Sequence, residues 1–148
     1  LKMLNKEIYN SACQYLARRE HGYKELSTKL TKKFKEQVSK QDIIDVLDHL
    51  VHKKYLSEQR ACEMYVINQT KKLYGPNRIH QHLYSKGFEP QMISDTITAS
   101  NIDFARLCLL CAEKKGLQDD IYARQVLYRR GFDVGQIKKA LEKLAKNK

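Results

Sequence analysis

Apolar residues return every three or four positions along most of the chain, the spacing that lines one face of an α-helix. Leu4, Ile8, Ala12, Tyr15 and Leu16 form the first such stripe, Leu26 and Leu30 mark a second, and Ile43, Val46, Leu47 and Leu50 form a third. Ser39, with Asp42 three residues on, has the form of a capped start to that third helix. A further helix is predicted from near Ser57, with Ala61, Met64, Tyr65 and Asn68 along its inner side. Gly75-Pro76 then supplies a break followed by a proline suited to a first helical turn, so a helix carrying Ile79 and Leu83 is expected to run to Gly87. Pro90 opens the helix of Ile93 and Ile97, and Phe104, Leu107, Cys108 and Cys111 make the next stripe. Asp133 followed by Gln136 resembles a capping box ahead of Ile137, Leu141 and Leu144. No stretch alternates strongly enough to predict a sheet.

The stripes also repeat. Leu83, Gly87, Phe88 and Ile93 recur 44 residues later as Leu127, Gly131, Phe132 and Ile137. An upstream copy reads Leu26, Leu30 and Phe34, then Ile43, Val46, Leu47 and Leu50, with three extra residues between Leu30 and Ile43. A period of this size suits a three-helix unit stacked on its neighbours. The expected fold is all-α, with three tandem three-helix repeats at 1–56, 57–101 and 102–148 forming an elongated, curved helical array. Phe88 and Phe132 read as core residues.

Composition narrows the class. The 148 residues are 42% apolar and 30% charged, with only 6 Gly and 2 Pro, as in a folded helical protein rather than a disordered one. Copies of about 45 residues would be marginal alone, so contacts between neighbours are expected to matter. No apolar run reaches the ~18 residues of a membrane span, and the N-terminus lacks a signal-peptide core, which points to a cytoplasmic protein with no membrane partner. The Leu1 start suggests a trimmed N-terminus. The net charge of +11 is uneven: the three segments carry 12 basic and 7 acidic, 5 and 4, and 11 and 6 side chains. That excess favours nucleic acid or an acidic protein partner, against the plainer reading of solvated lysine-rich helices.

Enzyme chemistry finds no support in the sequence. There is no phosphate loop, HExxH or nucleophile elbow, and Asp42, Asp45 and Asp48 read as a solvated helix face. Among Cys13, Cys62, Cys108 and Cys111, the CxxC pair falls on an apolar stripe and reads as buried rather than metal-binding. His80 and His82, two apart on a helix, diverge by about 200 degrees and cannot close on one metal. No catalytic residue, metal or cofactor is expected.

The middle helices are basic, with Lys29, Lys32 and Lys33, then Arg78 and Lys86, then Arg124, Arg129 and Arg130. The closing helices of the first two copies instead expose Asp42, Asp45 and Asp48, or Asp95, and phosphate would repel them. Only the last copy has a basic third helix, with Lys138, Lys139, Lys143 and Lys146, which disfavours tandem helix-turn-helix readout. Middle helices aligned on one face would instead form a basic strip.

The ordered motifs then resemble those of the RecX family, bacterial modulators of the RecA recombinase. Tyr74-Gly75-Pro76-Asn77-Arg78-Ile79, continuing through Leu83, Lys86, Gly87 and Phe88, is similar to the family's YGPxRI…L..KG pattern. Tyr55-Leu56-Ser57-Glu58-Gln59-Arg60 and Tyr65-Val66 resemble YLDDERFA…YV, with Ser57 and Gln59 in place of acids. Leu16-Ala17-Arg18-Arg19-Glu20-His21, then Glu25-Leu26 and Lys29-Leu30, resemble L.RREHS..EL..KL, with Gly22 and Tyr23 altering the middle.

The resemblance implies a monomeric regulator that lies in the groove of the RecA nucleoprotein filament, binds single- and double-stranded DNA weakly, and opposes filament growth, ATP hydrolysis, strand exchange and coprotease activity. The expected contact residues are Arg18, Arg19, Lys32, Lys33, Arg78, Lys86, Arg124, Arg129 and Arg130. Tyr74, Gly75 and Pro76 are assigned to turn geometry. Reversing Arg129 and Arg130 to Glu is expected to weaken filament binding with the helical fold intact. The alternatives are a sequence-nonspecific nucleic-acid binder acting without RecA and an adaptor for another acidic protein.

Overall fold

Most of the apolar stripes become buried helix faces. The computed structural model describes residues 3–147, and Leu1 lies outside them. Among the described residues there are nine α-helices and no strand: α1 Lys6–Arg18, α2 Tyr23–Phe34, α3 Lys40–His52, α4 Glu58–Lys71, α5 Pro76–Ser85, α6 Pro90–Ala99, α7 Phe104–Lys114, α8 Ile121–Arg129 and α9 Val134–Lys146. They divide into two compact units, Leu1–Met64 with Lys86–Phe88, and Tyr65–Ser85 with Glu89–Lys148.

In the first unit, α1, α2 and α3 pack mutually around Ile8, Leu26, Leu30, Ile43, Val46, Leu47 and Leu50. Helix α1 starts where the Asn5 side chain accepts from the Ile8 amide at 3.1 Å, and α3 where Ser39 and Asp42 complete both halves of a capping box. The extra residues between Leu30 and Ile43 hold a 3-10 turn, Lys35–Gln37, entered at a left-handed Lys35 with φ 47°. Gly22, at the N-cap of α2, has no side chain with which to cap it. The Glu58 carboxylate, from the first turn of α4, instead accepts from the Tyr23 amide. A Cβ at Gly22 would lie 2.9 Å from Cζ of the buried Phe88 ring, so the space a serine would occupy is filled.

In the second unit, α7, α8 and α9 pack mutually and α5 packs on α6, burying Ile79, Leu83, Ile93, Phe104, Leu127, Phe132 and Leu141. Asp103, Asp120 and Asp133 cap α7, α8 and α9. Gly87 and Gly131, equivalent in the sequence repeat, take φ of 96° and 99°, values that favour glycine and end the preceding helix. Helix α5 therefore stops at Ser85, short of Gly87.

The inner side of α4 is shifted from the sequence expectation: Ala61, Cys62, Tyr65, Val66 and Gln69 are buried, while Asn68 is exposed. The α3 acids also differ from a simply solvated face, because Asp48 accepts from the Tyr23 hydroxyl at 2.9 Å and Asp45 from Gln41 at 2.8 Å. Burial, aided by the bond to Asp48, pushes the Tyr23 hydroxyl up to about 12. We propose that the sequence period, with boundaries at 1–56, 57–101 and 102–148, marks the structural repeats.

Candidate anion-binding surfaces

Two basic residues of the first unit meet at one carboxylate. Glu25, its side chain 9% exposed, receives both arms of the Arg19 fork at 2.9 and 3.2 Å, and Lys86 approaches it at 3.6 Å. Arg19 also donates to the Glu20 carbonyl at 3.0 Å. Next to this network lies His21, which is almost wholly buried. Its Nδ1 meets the Arg19 carbonyl at 3.1 Å, and the Lys29 ammonium meets its Nε2 at 2.8 Å. A carbonyl only accepts and an ammonium only donates, so the ring is neutral with its proton on Nδ1. Arg18, Lys32 and Lys33 point to solvent. Arg18 and Lys33 share a shallow cleft of about 130 Å³ with Ser11, Gln14 and Tyr15.

This arrangement carries a pH dependence. Burial holds the His21 imidazole below its ordinary 6.5, reinforced by the charges of Arg19 and Lys29. Burial likewise lowers the Lys29 ammonium, helped by Arg19. The unfolded chain takes up the imidazole proton more readily than the folded one, so this stabilisation is full above pH 6.5 and is lost as pH falls below it. Melting temperature is expected to drop between pH 7.5 and 5.5 with a slope that His21→Gln flattens; equal slopes would show that His21 is not the titrating group.

In the second unit two arginines gather around an aromatic ring. Arg78 and Arg130 lie over Tyr74, with guanidinium carbons 4.0 and 4.4 Å from its centroid. Arg130 also donates to the carbonyls at the end of α4, to Leu73 at 3.2 Å and to Lys72. The backbone completes the joint, with the Gly75 amide donating to the Arg130 carbonyl at 2.8 Å and the Asn77 amide to the Gly131 carbonyl at 2.9 Å. Glycine at 75 answers to this close approach rather than to turn geometry: its φ is not positive, and a Cβ would stand 2.3 Å from backbone atoms of Gly131 and Phe132.

Beside this joint is a cleft of about 350 Å³ lined by Asn77, Arg78, His80, Gln81, Tyr128, Arg129 and Gly131, without one carboxylate. Arg124 pairs with Asp119 at 3.2 Å across an exposed surface and gains little by it. A larger hollow of about 740 Å³ runs between α7 and α9 over Leu109, Leu110 and Ala140, but Asp103 and Glu113 face Arg106, Lys139 and Lys143 around it.

Three of the four cysteines lie out of solvent, and Cys13 is half-buried. Cys62, Cys108 and Cys111 are buried, and burial pushes the Cys108 thiol up to about 12. No group of three or more metal-ligating side chains assembles among the described residues.

Similar proteins cover nearly the whole length of the chain. It is 33% identical over 145 residues to the regulatory protein RecX of Acinetobacter baylyi, spanning 93% of this chain and 88% of that one. Against the regulatory protein RecX of Legionella pneumophila the identity is 30% over 146 residues, spanning 93% and 95%. The chain belongs to the RecX family of regulatory proteins. The crystal structure of RecX from Lactobacillus salivarius has the same fold, with a TM-score of 0.79 at 21% identity over 94% of this chain and 95% of that one. A second crystal structure of a regulatory protein RecX gives 0.75 at 20% identity, over 89% and 70%. No protein-family model matches the chain. Among the described residues, no helix is long and apolar enough to cross a membrane.

The RecX-like motifs thus have distinct physical duties in this chain. Tyr74, Gly75 and Arg78 form one side of the joint with Arg130 and Gly131, while Arg19, His21, Glu25 and Lys29 form the polar network of the first unit. Arg60 binds Glu20 at 2.9 Å and the Lys54 carbonyl at 2.7 Å. Participants that were not among the expected contact residues include His21, Glu58 and Tyr128. The first two stood inside motif segments, and Tyr128 gave no signal beyond lying next to Arg129.

Proposed function

We propose that this chain regulates the RecA recombinase, binding in the groove of the RecA–DNA filament and inhibiting filament growth, ATP hydrolysis, strand exchange and coprotease activity. The supporting observation is membership of the RecX family over nearly the full length, including relatives at 33% identity. The surface is consistent with the task. Arg18, Lys32, Lys33 and Arg129 present charge to solvent, and several weak contacts spread over successive subunits gain strength by avidity. Arg78, Arg124, Lys86, Arg19 and Arg130 hold internal partners as well, so their contribution to docking comes through the edges their partners leave open.

Inhibition by this route is steric and electrostatic and needs no catalytic residue. Occupying the groove restricts the subunit rearrangements of nucleotide turnover and competes with incoming duplex. The test is ATP hydrolysis by RecA assembled on single-stranded DNA, with this chain titrated in at substoichiometric amounts and filament length followed in parallel. Inhibition with shortening is expected. Unchanged turnover and length, at a concentration that saturates bare DNA, would leave a nucleic-acid binder acting without RecA.

A further inference from the structure

The cleft between α5 and α8 combines cations with an aromatic wall, and its parts are more specific than a basic patch. Asn77, Arg78, His80, Gln81, Tyr128 and Arg129 line it, and no acid does. Arg78 makes no ion pair among the described residues; its guanidinium is held against Tyr74 at 4.0 Å, with Arg130 on the same ring at 4.4 Å. A stacked guanidinium keeps its edge N–H groups available and has little freedom left to lose on binding, so it is organised in advance for a phosphate. Arg129 is exposed and also unpaired among the described residues. Tyr128 is 63% exposed beside these cations. A large ring left in water next to two guanidiniums that face no carboxylate answers to a ligand that has both a flat face and a negative charge.

We propose that this cleft is a single-stranded nucleic-acid subsite, in which Arg78 and Arg129 hold a backbone phosphate and Tyr128 stacks on an unpaired base. This deepens the filament-regulator reading and rests on it for the choice of polymer. The volume, about 350 Å³, is at the small end for ligand clefts and suits one nucleotide rather than a helix. A duplex keeps its bases stacked on one another and would engage only the arginines. An acidic peptide would likewise satisfy the arginines but leave Tyr128 idle, so the nucleotide accounts for more of what lines the cleft.

The test measures fluorescence anisotropy of the full chain with three labelled probes of equal length: oligothymidylate, an abasic deoxyribose-phosphate oligomer, and a hairpin duplex. Tyr128→Ala is expected to weaken oligothymidylate binding roughly tenfold, with abasic and duplex affinities unchanged and Tyr128→Phe restoring the loss. Arg129→Gln should weaken all three probes and flatten the salt dependence on single strands by about 0.7 in slope. Unaltered oligothymidylate binding by Tyr128→Ala, or an equal loss on the abasic oligomer, overturns the stacking site. Competition by oligoglutamate as strong as by oligothymidylate at matched charge assigns the cleft to a protein partner and overturns it too. Inhibition of RecA turnover by the same variants separates the two ideas, since a Tyr128→Ala chain that inhibits normally but binds oligothymidylate unchanged fails here and leaves the regulator reading standing.

Discussion

Replacing Gly75 with alanine is expected to destabilise the second unit by about 3 kcal/mol, overpacking against backbone rather than against a side chain that could swing away. The added Cβ would lie 2.3 Å from the Gly131 carbonyl carbon and the Phe132 nitrogen. Those atoms cannot retreat cheaply, because the same backbones are joined by the bonds from Gly75 to Arg130 at 2.8 Å and from Asn77 to Gly131 at 2.9 Å. Gly131→Ala should be at least as damaging. It combines a left-handed φ of 99° with a Cβ 2.4 Å from the backbone nitrogen and Cβ of Arg78. Gly116→Ala is the control: φ is 66°, but nothing lies within 4 Å, so only the backbone strain of about 1 kcal/mol applies. In thermal denaturation the first two variants should melt roughly 10 °C below the parent and the third only a few degrees below. A Gly75→Ala protein that melts with the parent would mean that the two turns do not meet closely in solution.

The same joint shows what patterning along the chain can and cannot reveal. Helix positions follow from a period that every segment carries locally, so Ile8, Leu47, Leu83 and Leu141 announce their burial in the sequence. Caps are local as well, and Ser39 and Asp133 were legible for that reason. Asn5, Asp103 and Asp120 cap by the same three-residue reach, but Ile8, Arg106 and Ala123 stand where Asp42 and Gln136 complete a capping box, so no paired signal marks them. The inner side of α4 was misplaced by one position because its polar Gln69 is buried while its neighbour Asn68 is not, and polarity alone does not rank two amides.

Partnerships across long separations are a different matter. The Tyr74 ring takes arginines from α5 and from the end of α8, and Arg130 meets a carbonyl 57 residues away. Glu58 caps a helix that begins 35 residues earlier. Nothing in a one-dimensional charge pattern distinguishes an arginine committed to such a contact from one facing water. The sequence therefore supplied a set of basic positions without the information that divides Arg129 from Arg130.

That division is the second large expected effect. Arg130→Ala should cost about 2–3 kcal/mol: it removes a stacked cation worth up to about 2 kcal/mol when partly desolvated. It also removes the donors to the Lys72 and Leu73 carbonyls, which follow the end of α4. Arg129→Glu removes no contact in the described structure and should melt within about 0.5 kcal/mol of the parent. The two should exchange rank when binding is measured. Reversal at Arg129 places a carboxylate in a cleft that otherwise has none, so affinity for RecA filaments on single-stranded DNA should fall steeply at low salt and the loss should shrink as salt screens it. Arg130→Ala should retain more binding than Arg129→Glu once measured at a temperature where both are folded. Reversing both at once, which the sequence alone suggested would spare the fold, is now expected to confuse the two effects, because half of the substitution strikes the joint. If Arg130→Ala instead melts like the parent while Arg129→Glu unfolds, the cation over Tyr74 has been assigned to the wrong residue, and with it the separation between what holds this unit together and what it offers to a partner.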